Sequence, residues 1–364
     1  MGKSTKDFDV NFQPAEIGGR QLAFANALEH PFALSGFAWY GQEKVLCRLP
    51  RAVMAQVNDG LQYLAWHTSG GMIRFRSDST AIAIRASLRT TDDMNHMTRN
   101  GSSGCDFYLG TGGDKTYFGS VAPDHGAGRL EGILYPPGNG MRDWTVYLPL
   151  YNGVNTVEIG FDPDYRLEAP PPFAVETPLL FYGSSITQGG CASRTGNAYA
   201  CFLGRFIDAP VVNLGFSGGG CGEPVIAEAI AGLNLAAFIL DYDYNALDPA
   251  HLLATHEPFF RIIRDRQSAL PVIMISKCDF RPTDDYRRRR DIIRRTWQNA
   301  VDRGDRNAYF IDGESLFGTD CRDACTVDGC HPNDLGFFRM AKSIQPVLQH
   351  ALGMNVKDNP SMSE

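Results

Sequence analysis

Residues 178–189 read PLLFYGSSITQG, a short apolar run that ends in a turn of glycine and serine. A helical pattern follows from about residue 197. The alternation then repeats, with apolar runs at 211–214, 237–241, 271–275 and 308–312 and a last helical pattern over about 335–352. Short apolar runs that alternate with helices are typical of parallel strands that are buried on both faces. The sequence therefore predicts an α/β fold with a five-stranded parallel sheet flanked by helices.

The first half of the chain has a different pattern. Short alternating runs occur at 72–76, 81–86, 144–148 and 156–160, separated by Gly, Asn and Asp turns. Because no long helical period lies between them, they predict an antiparallel β-sandwich. A Pro-rich stretch, LEAPPPFAVET, then leads into the α/β half. We therefore expect an N-terminal sandwich domain over 1–168, a linker over 169–177, a second domain over 178–352 and a disordered tail over 353–364.

Composition narrows the function classes. The 364 residues include 41 acidic and 34 basic side chains, for a net charge of −7, which argues against nucleic-acid binding. No run of about 18 apolar residues occurs, so no membrane span is expected. The N-terminus lacks the apolar core of a signal peptide, and the nine cysteines are scattered. These features favour a cytoplasmic protein with reduced thiols, or a secreted one if a leader has been removed.

Polar segments follow the predicted strands. Active sites of open parallel sheets lie beyond the carboxyl ends of the strands. There the sequence has GSSITQG at 183–189, GFSG at 215–218, DYN at 243–245 and, before the last helix, DGCHPN at 328–333. Each segment alone is a weak signal, because Ser, Asn and Asp commonly cap helices or form turns. Four of them at one end of one predicted sheet indicate a functional site.

These segments resemble the four blocks of the SGNH hydrolases, also called GDSL-type esterases, over essentially all of 178–352. The family fold implied is flavodoxin-like. The front half resembles the jelly-roll domain of a two-domain branch, and the stretches PFALSGFAWY and MNHMTRNGSSGCDFYLG carry that similarity.

The resemblance implies a role for each matching residue. Ser185 matches the nucleophile, His331 the general base and Asp328 the residue that orients the base. The backbone N–H of Ser185, the N–H of Gly218 and the side-chain amide of Asn245 match the oxyanion hole. The chemistry is coherent, because a serine hydroxyl needs a base to take its proton and the tetrahedral intermediate needs preplaced donors.

One alternative nucleophile is present. Gly215–Gly219 reads GFSGG and matches the Gly-x-Ser-x-Gly nucleophile elbow, with Ser217 at its centre. Three features count against Ser217: GSSIT would have no role, Asp328 lies beside His331 rather than on an earlier loop, and no His-Gly-Gly-Gly segment precedes it. The Gly-rich turn is better interpreted as the oxyanion arm.

Other residues are weaker candidates. Gln188, Arg194 and Tyr244 are predicted to contact substrate, although Arg194 fits equally well as the partner of an acidic side chain. Asp241 and Asp243 are interpreted as buttresses of their loop. No cofactor or metal is expected. A zinc site or a disulfide among the closely spaced thiols is a minor alternative; the residues concerned are Cys321, Cys325, Cys330 and His331.

The predicted function is a serine esterase that removes a small acyl group, acetyl above all, from a small-molecule or oligosaccharide ester. Two alternatives use the same sequence features. An acyltransferase would share the acyl-enzyme and pass the acyl group to a hydroxyl other than water. A carbohydrate-binding protein with an inactive hydrolase domain would explain the front sandwich and the unusual third segment.

Overall fold

A computed structural model describes residues 15–354. The predicted disordered tail therefore lies outside the described residues from 355 onward. None of the helices in the described range is long and apolar enough to cross a bilayer.

The front half is an antiparallel sandwich of two sheets, as predicted. One sheet has the order β1-β2-β10-β5-β8 and the other β11-β4-β9-β6-β7, with β3 paired to β4. Side chains such as Phe75, Trp144 and Phe161 fill the space between the sheets. The strands are β1 (Ala15–Ile17), β2 (Arg20–Asn26), β3 (Ala33–Ser35), β4 (Met72–Ser77), β5 (Ile82–Leu88), β6 (Cys105–Leu109), β7 (Thr116–Val121), β8 (Arg129–Leu134), β9 (Arg142–Tyr147), β10 (Val154–Phe161) and β11 (Leu167–Glu168).

Four short helices of the front half were not predicted. They are α1 (Tyr40–Glu43), α2 (Arg51–Met54), α3 (Asp59–Ala65) and α4 (Arg99–Ser102). The longest, α3, is capped at its N-terminus by Asn58, whose side chain accepts a hydrogen bond from the Leu61 N–H. Each helix spans only four to seven residues, too short for an apolar period to show in the sequence.

The second half is the predicted five-stranded parallel sheet flanked by helices. Its order is β13-β12-β14-β15-β16. The second strand in chain order, β13, is therefore at the edge of the sheet, and the first, β12, lies between β13 and β14, as in flavodoxin-like folds. The strands are β12 (Leu179–Gly183), β13 (Val211–Gly215), β14 (Ala237–Asp241), β15 (Val272–Ile275) and β16 (Ala308–Ile311), and the helices are α5 (Ser185–Gln188), α6 (Tyr199–Ile207), α7 (Pro224–Ala231), α8 (Pro249–Arg266), α9 (Asp284–Asp302) and α10 (Asp334–Ala351).

Each face of the parallel sheet has its own hydrophobic core. Leu180, Leu214 and Leu240 pack against α7, α8 and α9, whereas Leu179, Phe181 and Ile239 pack against α6 and α10. Both cores continue into the front half. In the first, buried side chains between residues 39 and 66 contact the sheet face, and in the second Tyr108, Tyr147 and Leu150 take part. The predicted domain boundaries remain predictions, but the two halves share their apolar interiors.

Candidate active site

Ser185 lies at the carboxyl end of β12, as the first residue of α5. The turn is built by a capping box: the Ser184 hydroxyl accepts from the Ile186 N–H at 3.2 Å, and the Ser184 N–H donates to Thr187 Oγ1 at 3.2 Å. The side chain of residue 184 is thus used to begin the helix. The Ser185 hydroxyl takes no part in this cap, and the residue is partly exposed.

The second loop carries His331 and is closed at its base. Thr326 and Pro332 form an isolated antiparallel bridge, and the Val327 N–H donates to the His331 carbonyl at 2.9 Å. Immediately beyond it, the Asn333 side chain accepts from the Gly336 N–H at 3.1 Å and starts α10. The bridge and the helix start together fix the backbone on either side of His331.

Three side chains meet between these two loops. Ser185 Oγ lies 2.9 Å from His331 Nε2, and His331 Nδ1 lies 2.8 Å from Asp328 Oδ2. The other carboxylate oxygen, Oδ1, accepts from the backbone N–H groups of Cys330 and His331 at 2.9 and 2.7 Å. Partial burial opposes ionisation of this carboxyl, but the hydrogen bonds outweigh it and lower the pKa of Asp328 to about 2. Asp328 is therefore a carboxylate at neutral pH.

The Gly-rich turn after β13 presents one open N–H group. From Gly215 to Gly220, five backbone N–H groups donate: to Asn213 Oδ1, to the Gly183 carbonyl, to Gln188 Oε1 and, twice, to the Phe216 carbonyl. The Gly218 N–H donates to no group within residues 15–354, and neither does the N–H of Ser185. Gly218 has φ +66°, and a Cβ there would meet nothing within 4 Å, so backbone conformation, not crowding, favours glycine.

The side-chain amide of Asn245 already has hydrogen-bond partners, and its role in the oxyanion hole stays a prediction. Its Nδ2 donates to the carbonyl oxygens of Phe216 and Gly220, at 2.7 and 3.0 Å. Both amide hydrogens therefore brace the Gly-rich turn. To act in an oxyanion hole as well, the amide would have to release one of these carbonyls or share a hydrogen with it.

Comparisons with known proteins identify the family. The sequence pattern of the N-terminal domain of SGNH-type esterases (GxDLY) matches residues 22–167, and that of the GDSL-like lipase/acylhydrolase family matches residues 176–349. The chain belongs to the SGNH, or GDSL-type, hydrolase family. It is accordingly a carboxylic ester hydrolase. No curated protein is recognisably similar to it in sequence.

Solved structures of similar architecture cover nearly the whole chain. A protein of Bacteroides ovatus classed as a GDSL-like lipase is 29% identical, with a TM-score of 0.83 over 92% of this chain and 99% of that one. The salicylyl-acyltransferase SsfX3 of a tetracycline biosynthetic pathway is 19% identical, with a TM-score of 0.76 over 91% and 98%. An acetyl xylan esterase of the rumen bacterium Butyrivibrio proteoclasticus is 13% identical, with a TM-score of 0.59 over 91% and 99%. The last two show the fold alone.

The front domain of this SGNH hydrolase contacts the Ser185 and His331 loops. The Tyr151 hydroxyl donates to the Ser185 carbonyl at 3.1 Å, and the exposed ring of His96 lies 6.0 Å from the His331 ring, between centroids. Gly190 lies beside the bond between Tyr151 and Ser185. A Cβ at this position would lie 2.8 Å from Tyr151 Oη and 3.0 Å from the Ser185 carbonyl oxygen. A side chain at position 190 would therefore crowd the contact between Tyr151 and the Ser185 turn.

Arg48 joins the front domain to the Gly-rich turn. It is buried, and its guanidinium donates to four backbone carbonyls: those of Leu64, His67, Asn213 and Gly215. The guanidinium also lies over the Phe216 ring, 4.5 Å from its centroid. Among the described residues it pairs with no carboxylate, so it acts as a backbone clamp at the start of the turn.

The three predicted substrate contacts have other partners. Gln188 is fully buried, with its amide bonded to His67, Leu150 and Ser217, so in this geometry it cannot touch a substrate. Arg194 pairs with the buried Asp106, donates to Tyr108 and lies 3.8 Å from the Tyr117 ring centroid, all in the front domain. Tyr244 donates its hydroxyl to the Cys278 carbonyl, and the Lys277 ammonium lies 4.8 Å from its ring centroid.

The alternatives for Ser217 and the cysteines find no support. No imidazole within residues 15–354 is hydrogen-bonded to the Ser217 hydroxyl, whereas His331 bonds Ser185. No group of three or more His, Cys, Asp and Glu in that range could hold a metal ion. All nine cysteines are free thiols.

Asp241 and Asp243 lie in the interior, consistent with their interpretation as buttresses. Asp241 Oδ2 accepts from Tyr199 and Thr187 at 2.8 and 3.1 Å, beneath α5. Burial raises the pKa of Asp241 to about 7. Asp243 accepts from the Lys277 N–H at 2.9 Å, and burial raises its pKa as well.

Sequence reasoning missed Arg48, His67 and Tyr151. Their partners at the site are 165, 121 and 34 residues away in the sequence. Nothing in the neighbourhood of any of the three marks it as part of the site. The nearest signal in the sequence is that each is a polar residue next to an apolar neighbour in the chain.

Proposed function

We propose that this chain is a serine esterase that hydrolyses a small acyl ester, acetyl on a carbohydrate above all, through an acyl-enzyme at Ser185. The observation that carries the proposal is the 2.9 Å contact between Ser185 Oγ and His331 Nε2. The short bond to Asp328 holds the imidazole with its proton on Nδ1, so that Nε2 is free to accept the serine proton.

The proposed reaction runs in two halves. Ser185 Oγ attacks the acyl carbon while its proton moves to His331 Nε2, and the oxyanion forms against the N–H groups of Ser185 and Gly218. The intermediate then expels the alcohol, which takes the proton from His331. A water molecule repeats the sequence on the acyl-enzyme and releases the acid. Loss of one oxyanion donor costs about 3 kcal/mol of barrier in such enzymes.

The carbohydrate part of the proposal is supported by proteins of similar architecture. One protein of similar architecture is an acetyl xylan esterase, and another, a family two carbohydrate esterase of Clostridium thermocellum, has been solved with cellohexaose. In this chain the exposed His96 of the front domain lies beside His331, so a bulky alcohol such as a sugar would contact both domains.

The decisive assay is hydrolysis of 4-nitrophenyl acetate and of acetylated xylo-oligosaccharides by the wild type and by Ser185→Ala. We expect hydrolysis by the wild type and a loss of at least 10³-fold in the variant. Equal rates in the two would overturn the proposal. An ester series of increasing acyl length, run in parallel, defines the acyl group.

An acyltransferase is the second candidate, because SsfX3 shares the architecture over most of both chains. The same acyl-enzyme would serve it. Product analysis with added sugar acceptors separates the two functions: acylated acceptor in excess of free acid indicates transfer. An inactive carbohydrate-binding protein would leave Ser185 unreactive toward a fluorophosphonate.

A further inference from the structure

The amide of Gln188 lies behind the Gly-rich turn, and its oxygen and both of its hydrogens are hydrogen-bonded. Its Oε1 accepts from the Ser217 N–H at 3.0 Å, and its Nε2 lies 3.0 Å from both the Leu150 carbonyl oxygen and His67 Nδ1. The side chain has no exposed surface. Ser217 directly precedes Gly218, whose N–H is the open donor of the turn. A side chain that substrate cannot reach thus holds the peptide next to the proposed oxyanion donor.

The orientation of this amide follows from its partners. The Leu150 carbonyl can only accept and the Ser217 N–H can only donate, so Nε2 must face Leu150 and Oε1 must face Ser217. The second hydrogen of Nε2 then points to His67 Nδ1, which must accept. His67 is therefore the neutral tautomer with its proton on Nε2, an atom that has no partner within residues 15–354.

The surroundings of His67 keep it neutral. The residue is buried, and burial, assisted by the charge of Arg48, lowers the pKa of His67 to about 3. Its ring is packed edge-on against Tyr63, with 5.2 Å between centroids, and lies 5.9 Å from the Tyr151 ring. The acceptor that fixes Gln188 is therefore present at any pH at which an esterase of this kind would work.

Stability alone gives a poor account of the arrangement. A buried polar network is often no more stabilising than apolar residues of the same volume, and here it leaves a buried imidazole nitrogen without a partner among the described residues. What the network does provide is a fixed orientation of the Gln188 amide. One amide accepts from the Gly-rich turn and donates twice to the front domain, a combination that neither a carboxylate nor an aliphatic side chain can reproduce.

We propose that Gln188 is a positioning residue that aims the Gly218 N–H at the oxyanion, and that His67 and the Leu150 carbonyl of the front domain hold Gln188 for this task. The inference rests on the proposed function and deepens it. It gives the front domain an indirect role in the oxyanion hole. The contacts concerned lie behind the site and touch no substrate.

The test compares Gln188→Leu and His67→Phe with wild type. The quantities measured are kcat and KM for 4-nitrophenyl acetate, Ki for phenylboronic acid and the melting temperature. A boronate forms a tetrahedral adduct on serine and places an oxygen in the oxyanion hole, so its Ki reports that hole directly. We expect kcat to fall at least tenfold in Gln188→Leu, Ki to rise by a comparable factor and KM to stay within threefold.

Gln267→Leu is the matched control. This amide donates to the carbonyls of Ile230, Ala231 and Leu233 at the end of α7, away from the Ser185 and His331 loops. We expect a lower melting temperature with kcat and boronate Ki within twofold of wild type. His67→Phe keeps a ring against Tyr63 and removes only the acceptor, so we expect the same pattern as in Gln188→Leu with a smaller amplitude.

Several outcomes overturn the inference. One is a folded Gln188→Leu with kcat and boronate Ki within twofold of wild type; another is a loss confined to KM, which would indicate substrate contact. If Gln188→Leu does not fold, His67→Phe decides, and unchanged kcat and Ki in it contradict the proposal. Absence of esterase activity in the wild type overturns the proposed function itself, whereas an active wild type with unaffected variants overturns this inference alone.

Discussion

The hydroxyl of Tyr151, from the front half of the chain, donates a hydrogen bond to the backbone carbonyl of Ser185 at 3.1 Å. The residue proposed to attack the ester is thus held from behind by the other domain. Gly190 fills the space beside this bond, and its N–H donates to the same carbonyl at 2.8 Å. The Ser185 turn is accordingly built from both halves of the chain.

Gly190→Ala should impair catalysis. The new Cβ would lie 2.8 Å from Tyr151 Oη, closer than real Cβ contacts allow, and 3.0 Å from the Ser185 carbonyl oxygen, tighter than most of them, so Tyr151 or the Ser185 turn must shift. We expect kcat for 4-nitrophenyl acetate to fall at least tenfold, and Tyr151→Phe in the same chain to restore part of it. Gly41→Ala, at a position with open space around it, is the control and should leave kcat unchanged. Equal kcat values for the two alanine variants would contradict this packing.

Asp328→Asn should disable the imidazole without disturbing the loop. The Asn oxygen can still accept from the N–H groups of Cys330 and His331, but its NH₂ would then face His331 Nδ1 and force the proton onto Nε2. Such a tautomer cannot take the serine proton. We expect kcat to fall by roughly 10³-fold or more, measured with 4-nitrophenyl acetate. Asp320→Asn, whose side chain is 78% exposed, is the control. A kcat within threefold of wild type in Asp328→Asn would refute the assigned role.

Arg48→Met should loosen the joint between the two domains. Its guanidinium satisfies four backbone carbonyls in the interior, and a buried acceptor left without a donor costs about 1–3 kcal/mol. We expect the free energy of unfolding, measured in urea, to fall by about 3 kcal/mol or more and kcat to fall with it. Arg51→Met in the same segment removes a side chain that is 69% exposed and should change stability little. Identical urea midpoints for wild type and Arg48→Met would show that the clamp is dispensable.

The raised pKa of Asp241 should make the free energy of unfolding depend on pH. Burial raises the pKa of Asp241 from 3.8 in the unfolded chain to about 7 in the folded protein. Between these values the folded state holds a proton that the unfolded state has lost, so stability falls as pH rises, by about 1.4 kcal/mol per pH unit within the window. Below about pH 4 the term vanishes, and above about pH 7 the penalty is constant.

Asp241→Asn tests this dependence, because its amide oxygen can still accept from Tyr199 and Thr187 but does not titrate. We expect the difference in unfolding free energy between the variant and wild type to grow from pH 4 to pH 7 in favour of the variant. A difference that is flat across this range would show that Asp241 titrates normally.

The parts of the site that the sequence predicts are those defined by local spacing. Ser185 follows a strand directly, and Asp328 lies three residues from His331 just ahead of a helix, so one strand end and one loop bring all three together. The parallel sheet follows equally from the alternation of short apolar runs with helices, whereas its flavodoxin-like strand order is implied only by the family resemblance.

The parts that the sequence does not predict depend on contacts across the domain interface. Gln188 is predicted to contact substrate, yet the turn of helix that follows Ser185 directs it into the interior, toward His67 and Leu150. Arg194 likewise meets Asp106, 88 residues away. Local sequence patterns hold no information on such pairs. The same residues could begin α5 whether Gln188 faced the interior or the substrate.

The account is tested most directly by mapping the residue that a fluorophosphonate labels. Wild type, Ser185→Ala and His331→Ala are treated at equal concentration, and the tryptic peptides are analysed by mass spectrometry. The account predicts an adduct on Ser185, in the peptide from Leu167 to Arg194, slower labelling in His331→Ala and none in Ser185→Ala. An adduct on Ser217, or labelling that persists unchanged in Ser185→Ala, would contradict it.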